Sequence, residues 1–346
     1  MLVEIAIGDA FAAPYEFVVD DKFIETCEDL QYKTHPTRKE NLEVGEYTDD
    51  TQMSVAIVLH MLSEKPTNQF QISKFFLDEY KKYPIDGYAR GFQKFLDECA
   101  SKRGNKLITD IVPNSTRNGS VMRAVPIGLL PKIEDVVSYA ITQASVTHCT
   151  MSGINGAVAV ALAAHYYYYD LGTPQALIQW LKQNGVGYQH VEGPIPCEAL
   201  HTAFAAIKLS TLNSGPTILR KAVKLKGDTD SVAAVALGLR SLRDDVALPE
   251  HLYSGLSDCG RRSIDELRNL DKQLMDKYPR SEYIGVKTAD MPYIDGAYNP
   301  DYGDDRICKC SHKYYRHFDS YDDMSPVGYK YCSCTEFVEA TNDVVV

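Results

Sequence analysis

The sequence is short of positive charge and of long apolar runs, and each shortage excludes a class of protein. There are 36 Lys and Arg residues against 47 Asp and Glu residues, which gives a formal net charge of -11. This deficit argues against nucleic acid or an anionic membrane surface as the main partner, because phosphate groups attract basic surfaces. The longest weakly polar run, residues 154–169, is shorter than a membrane span. No basic segment precedes the first apolar residues, so we expect no signal peptide and a cytoplasmic location.

Long alternating strand patterns, internal repeats and low-complexity linkers are also absent from the sequence. Apolar residues recur at helical spacing instead, and 45% hydrophobic residues in a chain of 346 suffice for a sizeable core. We predict a main helical domain over residues 1–278 and a small irregular extension over residues 279–346. The main predicted helices cover residues 48–61, 69–83, 87–99, 133–145, 152–169, 197–212 and 264–278.

The cysteines do not form the pattern of a disulfide framework. Their total of nine is odd, and five of them occur singly. Such usage suits reduced thiols together with a metal site better than paired disulfides. The five single cysteines are Cys27, Cys99, Cys149, Cys197 and Cys259.

The other four cysteines form two Cys-x-Cys pairs in the extension, close to two histidines. The extension has too little periodic apolar sequence for a core of its own, so it needs a staple or must pack on the main body. Cys and His side chains in this number suit one tetrahedral Zn²⁺ ion. We predict a structural zinc site, with free thiols and a disulfide pair as the alternatives. The candidate ligands are Cys308, Cys310, His312, His317, Cys332 and Cys334.

Two distant stretches each place paired carboxylates at the start of a predicted helix. One is Thr-Asp-Asp at residues 48–50, and the other is Asp-Thr-Asp-Ser at residues 228–231. Helix capping and the helix dipole explain either stretch when it is taken alone. A second carboxylate beside the first adds repulsion, which a cation such as Mg²⁺ or Mn²⁺ relieves by binding hard oxygen ligands. Because the arrangement occurs twice, we predict that the two turns face each other and hold two metals.

Three other polar features each permit two interpretations. Glu16 stands between two aromatic residues, either as a solvated loop acid or as a carboxylate at the mouth of a site. The run 118–120, Asn-Gly-Ser, is either a plain turn or a source of backbone N–H groups for a phosphate. His148 either faces a site or caps a helix, and a lone His is more often structural.

In this order and spacing, the motifs resemble those of the ADP-ribosylglycohydrolase family, which includes dinitrogenase reductase-activating glycohydrolase. The similarity extends over about residues 1–250, so the Cys pairs lie outside it. The residues that carry it are Gly8-Asp9-Ala10, Pro14-Tyr15-Glu16-Phe17, Tyr47-Thr48-Asp49-Asp50-Thr51, Asn118-Gly119-Ser120-Val121-Met122-Arg123, Thr147-His148 and Gly227-Asp228-Thr229-Asp230-Ser231.

The resemblance implies an all-α orthogonal helical fold that holds two Mg²⁺ or Mn²⁺ ions. It also implies hydrolysis of the bond between C1″ of ADP-ribose and an acceptor, which is either a modified protein or a small ADP-ribose conjugate. We expect the enzyme to act as a monomer.

The resemblance further assigns roles to residues of this chain. The Asn118-Gly119-Ser120 turn is expected to hold the diphosphate, with His148 near the nucleotide. Glu16 and Asp49 are the candidates for the catalytic acid or base. The expected metal ligands are Thr48, Asp49 and Asp50 for one ion, and Asp228 and Ser231 for the other, with Asp230 between them.

Two other functions remain open on the sequence. A non-catalytic ADP-ribose-binding protein of the same fold is expected to have lost Glu16 or the metal carboxylates, and this chain keeps them all. A two-metal phosphohydrolase acting on a nucleotide would use the same Asp-rich centre, although the placement of Glu16 and His148 argues against it.

Overall fold

A computed structural model describes residues 1–37, 43–85, 87–101 and 110–283 of the chain. The predicted zinc site and all six of its candidate ligands lie outside the described residues. The boundary at residues 278 and 279 between a main domain and an extension stays a prediction.

The described residues form α-helices joined by short 3₁₀ turns and irregular connections. Within these ranges there is no β-strand, only isolated bridges, so the predicted all-α class is confirmed. None of the described helices has the length and hydropathy needed to cross a membrane. The helices are α1 (Leu2–Ala12), α2 (Asp21–Glu25), α3 (Asp49–Leu62), α4 (Gln69–Lys82), α5 (Arg90–Ala100), α6 (Gly119–Met122), α7 (Ile133–Ala144), α8 (Met151–Tyr168), α9 (Leu177–Gln183), α10 (Ala199–Ser210), α11 (Gly215–Leu225), α12 (Thr229–Ser241), α13 (Glu250–Ser254) and α14 (Ile264–Lys277).

The centre of the fold is the pair α1 and α12. Every residue of α1 except Glu4 is buried, and so is every residue of α12 from Thr229 to Arg240. A helix that is apolar on all sides belongs inside a protein. Helix α1 packs on α12 and α3, and α12 also contacts α8, α10 and α11. This packing brings Asp9, the acid inside α1, to the place where α3 and α12 begin.

Helix α8 is the third helix that is buried along most of its length, and it ends in a run of four tyrosines. All four of these rings are buried. Each hydroxyl donates a hydrogen bond to a backbone carbonyl, for example from Tyr168 to Tyr278 at 2.7 Å and from Tyr169 to Leu129 at 2.7 Å. A buried phenol needs such a partner, and neighbouring segments of the fold supply one for each ring.

Candidate active site

The structure brings the two predicted acidic turns together. Asp49 and Asp50 form the first turn of α3, while Asp228 precedes α12 and Asp230 lies in its first turn. Burial and the charges of neighbouring carboxylates in this cluster raise the pKa values of Asp49, Asp50 and Asp230. Glu16, at the end of the 3₁₀ turn that follows α1, belongs to the same cluster.

Burial and mutual repulsion hold the protons of these acids more tightly than usual. Burial and the charges of Asp9, Glu16 and Asp228 raise the pKa of Asp49 to about 8. The pKa values of Asp50 and Asp230 are also raised well above the ordinary carboxyl value, mainly by burial and then by the neighbouring carboxylates. Several carboxylates in one poorly solvated place therefore need either protons or cations to balance them.

Asp9 holds the first turn of α3 in place, a role that its position in the sequence does not predict. Its side chain is fully buried and accepts hydrogen bonds from Thr48 N at 2.9 Å and Thr48 Oγ1 at 2.7 Å. It also accepts from Thr51 N at 3.1 Å and Thr51 Oγ1 at 2.6 Å. Asp9 therefore caps α3 from a different helix. The available sequence signal was an Asp among the small and apolar residues 5–12 of α1.

Two buried oxygens in the cluster suit a cation. Oδ1 of Asp50 and Oδ1 of Asp228 accept no hydrogen bond from any described residue. An unpaired buried carboxylate oxygen is costly and calls for a partner. The surrounding donors are carboxylates and hydroxyls, which are hard ligands typical of Mg²⁺ and Mn²⁺ sites. The residues present therefore fit divalent cations.

A third donor type, a thiol, also lies in the cluster. Ligand atoms of Glu16, Cys197 and Asp228 are all within 4.8 Å of one another. Burial, together with Asp228 and Glu16, raises the pKa of the Cys197 thiol to about 12. Cys197 is one of the five cysteines that occur singly, and the residues next to it in the sequence do not indicate that it belongs to a site.

Backbone hydrogen bonds hold these segments together. Ile195 N donates to Lys226 O at 3.0 Å, and Asp228 N donates to Ile195 O at 2.9 Å. Phe17 N, next to Glu16, donates to Gly227 O at 2.8 Å. Gly227 has a φ of 79°, and a Cβ at this position would lie 2.0 Å from Ile195 O. Only glycine therefore allows this close approach.

The Asn118-Gly119-Ser120 turn supports the cluster through its side chains. Asn118 Nδ2 donates to Asp228 Oδ2 at 3.1 Å and to Thr202 Oγ1 at 3.2 Å. Ser120 is fully buried, and its Oγ donates to Gly153 O at 2.8 Å. Any anion bound by this turn is therefore expected to meet its backbone N–H groups.

His148 lies beside this turn in a fixed, neutral form. A Cβ added to Gly119 would stand 2.9 Å from His148 Cε1. Arg123 Nη2 donates to Thr147 Oγ1 at 2.8 Å, so the Thr147 hydroxyl proton is free to donate to His148 Nδ1 at 2.5 Å. Burial and the Arg123 charge lower the pKa of His148 to about 3. Because Nδ1 of His148 is the acceptor that the structure offers to the Thr147 hydroxyl, we assign the proton of the neutral imidazole to Nε2.

The helix-cap alternative for His148 is wrong, because another residue caps α8. Thr150 is the N-cap of this helix, and its side chain accepts a hydrogen bond from Gly153 N. Among the described residues, the side chain of His148 bonds through Nδ1 to Thr147, and its Nε2–H is the group that a ligand near Gly119 would meet.

The described residues form a helical fold in which carboxylates cluster where α1, α3 and α12 meet. Such a fold and site belong to a helical hydrolase with an acidic centre. Residues 1–283 match the family model described as ADP-ribosylglycohydrolase. The chain therefore belongs to the ADP-ribosylglycohydrolase family, as the motifs indicated.

Individual relatives agree with this assignment. The chain is similar to ADP-ribosylhydrolase ARH3 of Xenopus tropicalis, with 31% identity over 141 residues covering 39% of this chain and 40% of that protein. It is also similar to ADP-ribosylhydrolase ARH3 of Homo sapiens, with 34% identity over 132 residues covering 36% of this chain and 36% of that protein. The chain thus spans well under half the length of these curated relatives.

A solved structure shows the same fold over a longer range. It is titled an ADP-ribosylglycohydrolase-related protein complex and superposes with a TM-score of 0.62 at 21% sequence identity. The similarity covers 81% of this chain and 96% of that one, so the helical arrangement extends well beyond the motifs.

Proposed function

We propose that this protein is a metal-dependent hydrolase that removes ADP-ribose from a modified acceptor by cleaving an N- or O-glycosidic bond at C1″. The observation that carries the proposal is the convergence of Glu16 with both acidic turns. At this convergence, the buried Oδ1 atoms of Asp50 and Asp228 accept no hydrogen bond from any described residue. Family membership and the similarity to proteins named ADP-ribosylhydrolase support it.

The residues that would hold two Mg²⁺ or Mn²⁺ ions are those of the acidic turns. When bound, the ions would neutralise the cluster, orient the ribose hydroxyls and polarise a water molecule. The proposed ligands are Thr48, Asp49, Asp50, Asp228, Asp230 and Ser231. Asp9 and Asn118 would keep these ligands in place, through their bonds to Thr48 and to Asp228.

The proton transfer is assigned to Glu16 or Asp49. These two are the half-buried carboxylates of the cluster, whereas Asp50, Asp228 and Asp230 are buried. Cleavage of a glycosidic bond passes through an oxocarbenium-like state, and it requires a carboxyl group that gives a proton to the leaving atom or takes one from water. A partly exposed carboxyl can exchange its proton with solvent between turnovers.

The nucleotide side of the substrate is assigned to the other half of the site. Backbone N–H groups of the Asn118-Gly119-Ser120 turn would face the diphosphate. His148 would donate from Nε2, because Thr147 and Arg123 fix its tautomer. The acceptor is a protein side chain or a small molecule.

The proposal is tested by incubating the full chain with ADP-ribosylated Arg, ADP-ribosylated Ser and O-acetyl-ADP-ribose. Reactions contain Mg²⁺ or Mn²⁺, with and without a chelator. Release of free ADP-ribose that the chelator stops supports the proposal. Release of phosphate or nucleoside monophosphate indicates a phosphohydrolase instead, and binding of ADP-ribose without turnover indicates a non-catalytic protein.

Replacing Thr147 by valine is expected to raise KM for the substrate about tenfold and to change kcat much less. The substitution keeps the shape but removes the hydroxyl that orients His148, and one buried hydrogen bond of this kind is worth about 1–1.5 kcal/mol. Steady-state kinetics on the best substrate measure the change. Thr142→Val is the matched control, since its exposed hydroxyl bonds only within α7. An unchanged KM would contradict the role given to His148.

A further inference from the structure

A thiol faces the carboxylates that the proposed reaction needs. Sγ of Cys197 and one carboxylate oxygen from each of Glu16 and Asp228 lie within 4.8 Å of one another. Asp228 is only 4% exposed, and its Oδ1 accepts no hydrogen bond from the described part of the chain. Cys197 and Glu16 are half-buried. Three potential ligands, two of them partly open to solvent, therefore surround one point.

This set of donors differs from the rest of the cluster in its chemistry. Carboxylate and hydroxyl oxygens suit Mg²⁺ and Mn²⁺, whereas a thiolate favours Zn²⁺ and softer cations. In a tetrahedral zinc site, sulfur and oxygen ligands stand about 3.6 Å apart, given bond lengths of about 2.3 Å and 2.1 Å. The three ligand atoms lie within 4.8 Å of one another, so each separation has to shorten by no more than about 1.5 Å to reach that geometry.

The backbone keeps Cys197 against Asp228. The mutual hydrogen bonds between residues 195 and 226–228 fix the segment two residues before Cys197. On its other side, Ala199 N at the start of α10 donates to Thr116 O at 3.1 Å. Both flanks of the cysteine are therefore anchored, so the thiol remains next to the carboxylates.

We propose that Cys197, Glu16 and Asp228 form an inhibitory site for Zn²⁺ or another thiophilic divalent cation. The inference rests on the proposed function, because Glu16 and Asp228 belong to its machinery. On binding, the thiol proton leaves to solvent and a sulfur lone pair bonds to the cation, with no change in oxidation state. The cation then occupies two carboxylates that turnover requires, so binding and catalysis exclude each other.

The test is a titration of the full, reduced chain with Cd²⁺, whose bonds to thiolates absorb in the ultraviolet. Wild-type protein is expected to show one more cadmium–thiolate equivalent than Cys197→Ser. Thiolates elsewhere in the chain contribute equally to both proteins and cancel in the difference. Cys149→Ser, which removes an exposed cysteine, is expected to match the wild type. Saturating Mg²⁺ is expected to weaken the extra Cd²⁺ binding about tenfold or more, because Asp228 is shared.

The activity assay supplies a second measurement. Zn²⁺ is expected to inhibit the wild type at a concentration about 10–100-fold lower than it inhibits Cys197→Ser. Loss of a residue that only hydrogen-bonds to a metal ligand already weakens metal binding by about this factor, so loss of a direct ligand is expected to do at least as much. A difference spectrum that shows no extra thiolate, or one that Mg²⁺ leaves unchanged, would overturn the inference.

Two checks keep the outcomes distinct. Thermal melting of Cys197→Ser and of a second variant, Cys197→Ala, shows whether the fold is kept, and the titration is read on the variant that melts like the wild type. If no substrate releases ADP-ribose, the proposed function fails, whereas the cadmium difference still decides whether the site exists.

Discussion

Replacing Asp50 by asparagine is expected to lower ADP-ribose release about 10²–10³-fold and to raise the melting temperature of the metal-free protein. The first effect follows because the variant loses a proposed metal ligand, and a bound cation stabilises the transition state by several kcal/mol. The second follows because Asp50 is buried beside Asp9, Asp49 and Asp228, whose charges raise its pKa. Asparagine keeps the shape of the side chain and removes the repulsion.

The predicted loss of activity together with the predicted gain in thermal stability distinguishes a metal ligand from a residue that only caps the helix. If Asp50 served only to cap α3, asparagine would cap about as well, and both the melting temperature and turnover would stay nearly unchanged. Each kcal/mol of relief is expected to raise the melting temperature by roughly 2–4 °C in a domain of this size. Differential scanning calorimetry in chelator and the ADP-ribose assay in Mn²⁺ measure the pair. Asp265→Asn is the control, since its side chain is 87% exposed and lies at the start of α14.

The stability of the metal-free protein is expected to increase as pH falls from 8 to 7. Asp49 has its pKa raised to about 8, and those of Asp50 and Asp230 are raised well above the ordinary value. An acid with a higher pKa in the folded state binds its proton more tightly there, so lower pH favours the folded state. Each such carboxyl contributes about 1.4 kcal/mol per pH unit while it is protonated in the folded chain and ionised in the unfolded one.

Saturating Mg²⁺ or Mn²⁺ is expected to remove the part of this pH dependence that the cluster causes, because cations then replace the protons. A smaller slope of the same sign remains, because burial of the Met1 amine is outweighed by Asp271 and Glu4, which raise its pKa from 8.0 to about 10. The window from pH 8 to pH 7 lies above the ordinary His pKa near 6.5, so the histidines contribute little. Chemical denaturation at several pH values, with chelator or with metal, measures the slopes. A metal-free protein that loses stability between pH 8 and pH 7 would show that the folded chain does not raise the pKa values of these carboxyls.

The sequence predicted the helical class, most of the helices and the meeting of the two acidic turns. These predictions succeeded because they depend on local patterns: apolar spacing that indicates a helix, and polar residues that mark its beginning. The helices α2, α6 and α13 were missed, since four or five residues are too few to show a period.

The parts of the site that the sequence did not predict all depend on tertiary contacts. Asp9 acts on residues 39 and 42 positions away, and nothing in the local sequence of α1 specifies that partner. Cys197 reaches Asp228 through the backbone pairing of Ile195 with the segment around Gly227. The sequence predicted that the Asn118-Gly119-Ser120 turn holds the diphosphate, but it gave no sign that the Asn118 side chain donates to Asp228.

The burial of the acidic cluster between α1, α3 and α12 also has a consequence for the amount of protein in a cell. A cation that binds the folded chain alone stabilises it by mass action, and here it would do so at the junction of the central helices. When divalent cations are scarce, the unfolded fraction rises and proteases remove it. The abundance of the protein, and not only its turnover, is therefore expected to follow the supply of metal.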